Sequence, residues 1–122
     1  MRWNFTGSKP IYLQIIDHIR GAIVSGEFRP GDRIPPVRDL AAQAQVNPNT
    51  MQRALLELER EGLLITDGTV GRYVTRDTGI LEAMGREAAD TVIRSAVAQF
   101  RAMGISLQEA ARLLLAMEEE ET

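Results

Sequence analysis

Six residues, Gln45-Val46-Asn47-Pro48-Asn49-Thr50, restrict the architecture of this chain more than any others. Asn47 suits a helix N-cap, and Pro48 suits the first helical position, where a missing N–H is no loss. A helix therefore starts there. Its apolar residues, Met51, Ala54, Leu55 and Leu58, fall on one side; Asn49, Gln52, Arg53, Glu57 and Arg60 occupy the rest before Gly62 ends it. Immediately upstream, Pro35-Pro36 opens a shorter helix that carries Leu40, Ala41 and Ala44. The spacing predicts two helices separated by a tight turn.

The flanks extend that pair. Residues 1–9 read as a short arm with Trp3 and Phe5. Pro10 then leads a helix whose apolar positions Ile11, Ile15, Ile16, Ile19, Ile23 and Val24 share one face. Gly26 stops it, and Phe28-Arg29-Pro30-Gly31 turns the chain. After Gly62, residues 63–66 and 72–75 are strand-like, and Asp67-Gly68-Thr69-Val70-Gly71 joins them with two glycines suited to a hairpin. The order helix, helix, helix, strand, turn, strand is that of a winged helix-turn-helix. Beyond Gly79 a long helix is predicted from Leu81, Met84, Ala88, Val92, Ile93, Ala96, Phe100 and Met103, with Gly104-Ile105 as its stop. Ser106 and Glu109 have capping-box spacing for a last helix containing Leu107, Ala110, Ala111, Leu113, Leu114, Leu115 and Met117. The expected fold is mainly α with a small β-hairpin: a winged helix-turn-helix over residues 1–77, then a two-helix C-terminal dimerisation segment over residues 78–122.

Composition removes several function classes. The chain has no cysteine and one histidine, His18, so disulfides, thiolate metal sites and Cys-His catalytic pairs are excluded. No nucleophile–base–orienter set and no P-loop is present; neither an enzyme nor a cofactor or metal site is expected. No apolar run approaches the ~20 residues that cross a bilayer. The first residues lack the basic-then-apolar pattern of a signal peptide, so a cytoplasmic location is expected. The net charge of −3 argues at first against nucleic acid. Its distribution matters more: residues 1–78 hold ten Lys/Arg and nine Asp/Glu, whereas residues 79–122 hold four Arg and eight acids. Half of those eight acids are the run 118–121, which reads as a solvated end.

The polar end of the third helix carries the chemistry. A helix-turn-helix offers the N-terminal end of its second helix to the major groove of DNA. Asn47, Asn49, Thr50, Gln52 and Arg53 sit there: Asn and Gln pair two-fold with adenine, and Arg with guanine. Arg38 lies near the start of the preceding helix, within reach of backbone or groove edge. Gly71 and Arg72 lie at the hairpin, where glycine lets the backbone approach a minor groove. Trp3, Phe5 and Tyr12 share no sheet face and read as packing residues rather than a base-stacking platform. His18 reads as an ordinary helix histidine.

Several spaced stretches agree with a known family. The run Pro10-Ile11-Tyr12-Leu13-Gln14-Ile15, the run Gly-Glu-Phe-Arg-Pro-Gly-Asp-Arg-Ile-Pro at 26–35, Val37-Arg38-Asp39-Leu40-Ala41, residues 46–54, residues 58–63 and Arg72-Tyr73-Val74 together resemble the DNA-binding domain of GntR-type transcription regulators. The short helical tail is similar to the YtrA branch of that family, whose members lack a large ligand-binding domain and dimerise through two C-terminal helices. The resemblance implies a repressor, with ABC-transporter operons as frequent targets, and carries DNA contact onto Arg38, Asn47, Asn49, Thr50, Gln52, Arg53, Gly71 and Arg72. Two departures stand out. Pro36 replaces a usual Ser and removes a capping hydroxyl and an N–H. The wing reads Gly-Thr-Val-Gly-Arg where many members have Arg-Gly-rich tips.

The tail supplies the expected partner. Two helices of one chain cannot hide both Leu113-Leu114-Leu115 and the stripe on the long helix, and so large an apolar patch is unusual on a monomer. Pairing with a second copy is the simplest solution. Leu81, Met84, Val92, Ala96, Phe100, Leu113, Leu114 and Met117 are the expected contacts. A homodimer then presents two recognition helices to a palindromic operator. The alternative reading is a winged-helix protein-interaction module without DNA binding, which the overall acidity favours and the polar 47–53 face opposes. An effector ligand is neither required nor excluded.

Overall fold

A computed structural model describes residues 1–69 and 71–121; Val70, expected in the hairpin turn, and the terminal Thr122 lie outside the described residues. The elements follow the order α1 (Ile11–Val24), α2 (Val37–Ala44), α3 (Pro48–Arg60), β1 (Leu64–Asp67), β2 (Gly71–Val74), α4 (Thr78–Ala102) and α5 (Leu107–Glu121). The chain divides into two compact units, Met1–Gly85 and Arg86–Thr122. The division falls inside α4 rather than before it. The reason is packing: Ile80, Leu81 and Met84, on the first turns of α4, sit on the core of the first unit.

That core is built from the stripes read in the sequence. Ile15, Ile16, Ile19 and Ile23 of α1 meet Leu40, Ala41 and Ala44 of α2 and Met51, Ala54, Leu55 and Leu58 of α3, and all are buried. Burying a side chain of the size of leucine or isoleucine contributes about 1.5–3 kcal/mol against leaving it in water. Leu64 and Val74, opposite one another across β1 and β2, close the core from the hairpin side. The two strands run antiparallel, with Ile65 opposite Tyr73 and Thr66 opposite Arg72.

Local backbone chemistry holds these pieces in order. Leu63 donates to the Leu58 carbonyl at 3.0 Å across Gly62, whose φ of 81° is left-handed. A Cβ there would lie 3.0 Å from Ile80 Cδ1, so glycine is needed both for the turn and for the arrival of α4. The α2–α3 turn uses a non-glycine instead: Gln45 adopts φ 58°, and Val46 N–H bonds to the Ala41 carbonyl at 3.0 Å. Pro36 gives α2 no side-chain cap, as the missing hydroxyl predicts.

Two features carry no local signal in the sequence. Residues 31–34 line up against β2: Gly31 donates to Val74 O and Val74 to Asp32 O, both at 2.8 Å, and Ile34 donates to Arg72 O at 3.0 Å. The segment read as a turn and its exit thus gives the wing a third short strand-like edge through the Arg33–Tyr73 bridge. The arm is also fastened. The buried Gln14 amide accepts from Thr6 N–H at 2.8 Å and donates to the Thr6 and Lys9 carbonyls at 2.8 and 2.7 Å. Trp3, Phe5 and His18 cluster beside it with ring centroids 5.4 to 6.0 Å apart, Trp3 stacked on Phe5 and His18 edge-on to Phe5.

The second unit holds the rest of α4, a turn and α5. Gly104 and Ile105 close α4, with Ile105 N–H on the Phe100 carbonyl at 2.9 Å. Ser106 Oγ caps α5 by accepting from Glu109 N–H at 3.1 Å, while the Glu109 carboxylate pairs with Arg112. Only half of the expected box is therefore made. Ala110 is buried; Ala96, Val97, Phe100 and Ile105 are half-buried; Val92, Ile93, Met103, Leu113, Leu114, Leu115 and Met117 are exposed. Among the described residues no helix is long and apolar enough to cross a membrane.

Of the residues expected in a self-association surface, Met84 is buried in the core of the first unit and Leu81 packs against it, half-buried. Their periodicity is continuous with that of the tail, which hid the division in the sequence.

Candidate nucleic-acid interface

The N-terminal end of α3 presents the expected side chains to solvent. Asn47 Oδ1 accepts from Asn49 N–H at 2.7 Å, so Asn47 caps the helix as well as standing at its tip. Asn47, Asn49 and Arg53 are exposed, and Thr50 and Gln52 are half-buried. Arg38 is exposed in the first turn of α2 and makes no ion pair with the described residues. Five of these residues lie on the cap and first turns of α3, whose first N–H groups add a partial positive charge, and Arg38 lies on the first turn of α2.

Arg53 is restrained in a particular way. Its guanidinium carbon lies 3.7 Å from the centre of the Tyr12 ring, in the first turn of α1. From the sequence Tyr12 is expected only to pack. The structure adds that one face of its ring carries a cation of the candidate interface.

The wing differs from expectation. Arg72 does not reach outward from the hairpin. Its Nε donates to Glu59 Oε1 of α3 at 2.6 Å, and its side chain is 15% exposed. Thr66 Oγ1 donates to the same carboxylate oxygen. Burial by itself raises the Glu59 pKa. The hydrogen bonds from Thr66 and Arg72 and the Arg72 charge outweigh it, and the carboxyl is held below its ordinary range. Arg72 is thus a tie between wing and recognition helix.

Gly71, with φ 105°, is approached by another cation. A Cβ at Gly71 would lie 3.3 Å from Arg33 Nε, and a Cβ at Gly31 would collide with the Arg76 guanidinium. Arg33 and Arg76 are exposed and line a groove with Tyr73 and Asp67. These two exposed basic groups of the wing region lie outside the hairpin sequence itself. Arg33 has a local signal, since it stands in the 26–35 run that resembles the family. Only the pairing of residues 31–34 with β2 assigns it to the wing. Among the described residues no cluster of His, Asp and Glu has metal-binding geometry.

A short helix, a tight turn, a helix with a polar exposed leading end and a β-hairpin packed on the same core define a winged helix-turn-helix regulator. The family described as bacterial regulatory proteins, gntR family, matches residues 11–74. Among curated proteins, the uncharacterized HTH-type transcriptional regulator YhcF of Bacillus subtilis is 38% identical over 106 residues, 87% of this chain and 88% of its own. The HTH-type transcriptional repressor YtrA of the same organism is 43% identical over 70 residues, 57% of this chain and 54% of its own. Among solved structures, a GntR family transcriptional regulator from Listeria monocytogenes is 33% identical with a TM-score of 0.81, covering 92% of this chain and 98% of that one. The AraR DNA-binding domain in complex with operator ORX1 is 28% identical with a TM-score of 0.56, covering 62% of this chain and 96% of that one. The chain belongs to the GntR family, and it is a DNA-binding transcription regulator.

Proposed function

We propose that this regulator is a repressor that occupies a palindromic operator as a homodimer. The observation that carries the DNA half of this reading is the leading end of α3, where Asn47, Asn49 and Arg53 are exposed, Gln52 is half-buried, and Leu56 is the exposed apolar side chain beside them. Asn49, Gln52 and Arg53 are the base-edge candidates. Arg38, with Asn47 and Thr50 at the helix tip, serves the phosphate backbone. The wing contributes Gly71, Arg33 and Arg76 on the backbone, with Arg72 holding the hairpin in place. The operator-bound relative supports the mode of binding, and the relative called a repressor supports the sign of regulation.

The dimer half rests on the second unit. Val92, Leu113, Leu114 and Met117 are more than half exposed or close to it, and Ile93 and Leu115 accompany them. Ala96 and Phe100, half-buried in the single chain, complete the same surface. Water-exposed side chains of this size favour burial against a second copy. The resemblance to the YtrA branch makes ABC-transporter operons the targets to examine first.

Site selection from a random duplex pool with the purified chain tests the reading. The expected product is a two-fold symmetric sequence whose half-sites lie about one helical turn apart. Affinity for it should fall steeply with salt, by a slope near −0.9 per phosphate neutralised. A chain that retains no duplex at low salt sinks the proposal in favour of a protein-interaction module.

A further inference from the structure

The interface contains two arginines held in opposite ways, and the contrast assigns a role to Tyr12. Arg72 is held by a carboxylate: Glu59 takes its Nε–H at 2.6 Å and neutralises its charge. An arginine held like that has fewer donors and less charge to offer DNA. Arg53 is held by a ring, with its guanidinium carbon 3.7 Å above the centre of Tyr12. Contact with a π face uses none of the guanidinium N–H groups, because these point outward in the guanidinium plane. It also leaves the positive charge intact. Arg53 is absent from every ion pair and hydrogen bond that the described side chains make.

We infer that Tyr12 is a positioning residue for DNA recognition: its ring holds the Arg53 guanidinium as a pre-oriented fork aimed at a pair of adjacent acceptor atoms on the duplex. The inference rests on the proposed DNA reading. An arginine side chain in solvent samples many rotamers, and ordering it on binding costs affinity. Stacking removes part of that cost before the duplex arrives. Tyr12 does this from α1, a helix that is not itself part of the helix-turn-helix pair. The half-buried ring, packed against the first unit's core, is itself fixed. The acceptor pair is either the O6 and N7 edge of a guanine or two oxygens of a phosphate, and both have the spacing that a bidentate arginine fits.

The test is a double-mutant cycle on a duplex recovered by selection with the wild-type chain, read by fluorescence anisotropy. Tyr12→Leu should weaken binding roughly three- to five-fold, and Tyr12→Phe, which keeps the ring, should leave it unchanged. In an Arg53→Ala background the Tyr12→Leu effect should vanish. A base-edge target predicts that Tyr12→Leu and Arg53→Ala both relax preference at the same base pair. A phosphate target predicts instead that both weaken all sequences equally and that Arg53→Ala lowers the salt slope by about one. Additive effects of the two substitutions, or a loss in Tyr12→Phe equal to that in Tyr12→Leu, overturn the inference while leaving DNA binding intact. Wild-type protein that binds no duplex overturns both. One readout needs no variant to fold: in the DNA-free chain the ring current of Tyr12 should shift the Arg53 side-chain protons upfield, and ordinary solvent-exposed shifts would refute the stacking.

Discussion

Leu55 and Leu114 both lie on helices with an apolar stripe, yet Leu55 is wholly buried and Leu114 is 61% exposed. The difference separates two kinds of apolar surface in one chain. In Met1–Gly85 the stripes of α1, α2 and α3 converge, and the hairpin and first turns of α4 cover what remains. In the second unit two helical stretches shield only a narrow seam around Ala110, Ala96 and Phe100 are half-buried, and Val92, Ile93, Leu113, Leu114 and Met117 face water. Apolar periodicity marks a surface to be covered in either case. What differs is whether one chain holds enough elements to cover it.

Charge at the tail is the strongest way to break the comparison. Leu113→Glu with Leu114→Glu should give a monomer by sedimentation velocity and reduce operator affinity at least ~100-fold, because the second half-site is no longer tethered to the first. Unchanged mass and affinity would show that these leucines cover nothing. Core truncation should act in the opposite sense. Leu55→Ala should destabilise the fold by about 2–5 kcal/mol in chemical denaturation. Leu114→Ala should leave the stability of the first unit as it is, and equal losses in the two variants would erase the distinction.

Arg38→Ala probes the face rather than the core. It should weaken operator binding by about 1–3 kcal/mol without changing the melting curve; normal affinity in an anisotropy titration removes Arg38 from the interface. The smallest effect is expected at the tie between wing and α3. Glu59→Gln should cost about 1 kcal/mol at neutral pH, since a charge-assisted hydrogen bond to Arg72 is lost. The folded-state pKa of Glu59 is lowered. Its contribution is therefore complete above the unfolded pKa and is lost as pH falls through the folded pKa. The stability gap between wild type and Glu59→Gln should narrow on acidification, and a gap that widens would contradict the assigned hydrogen bonds.

Much of the fold and the leading edge of the site was legible because its signals are local. Asn47 before Pro48 marks a helix start through a side chain two residues from the N–H it caps. Gly62 and Gly104 mark helix ends for similarly short-range reasons, and the stripes of α1 to α3 report burial directly. The roles of Arg72, Arg33 and Tyr12 were not legible in this way. Arg72 looks like a wing cation until Glu59, thirteen residues away, comes within 2.6 Å. Arg33 reaches Gly71 only once residues 31–34 pair with β2.

The amino-acid order alone determined the sequence of helices and hairpin, the caps that begin and end them, and which side chains crowd the exposed end of α3. Those choices depend on interactions spanning one or two turns. Tertiary structure decided which arginines are neutralised and which remain available, and that Met84 joins the first unit's core with Leu81 packed against it while the later stripe of α4 is left outward. Each depends on residues distant in the chain meeting in space, where a carboxylate, a ring face or a neighbouring helix changes what the same side chain does.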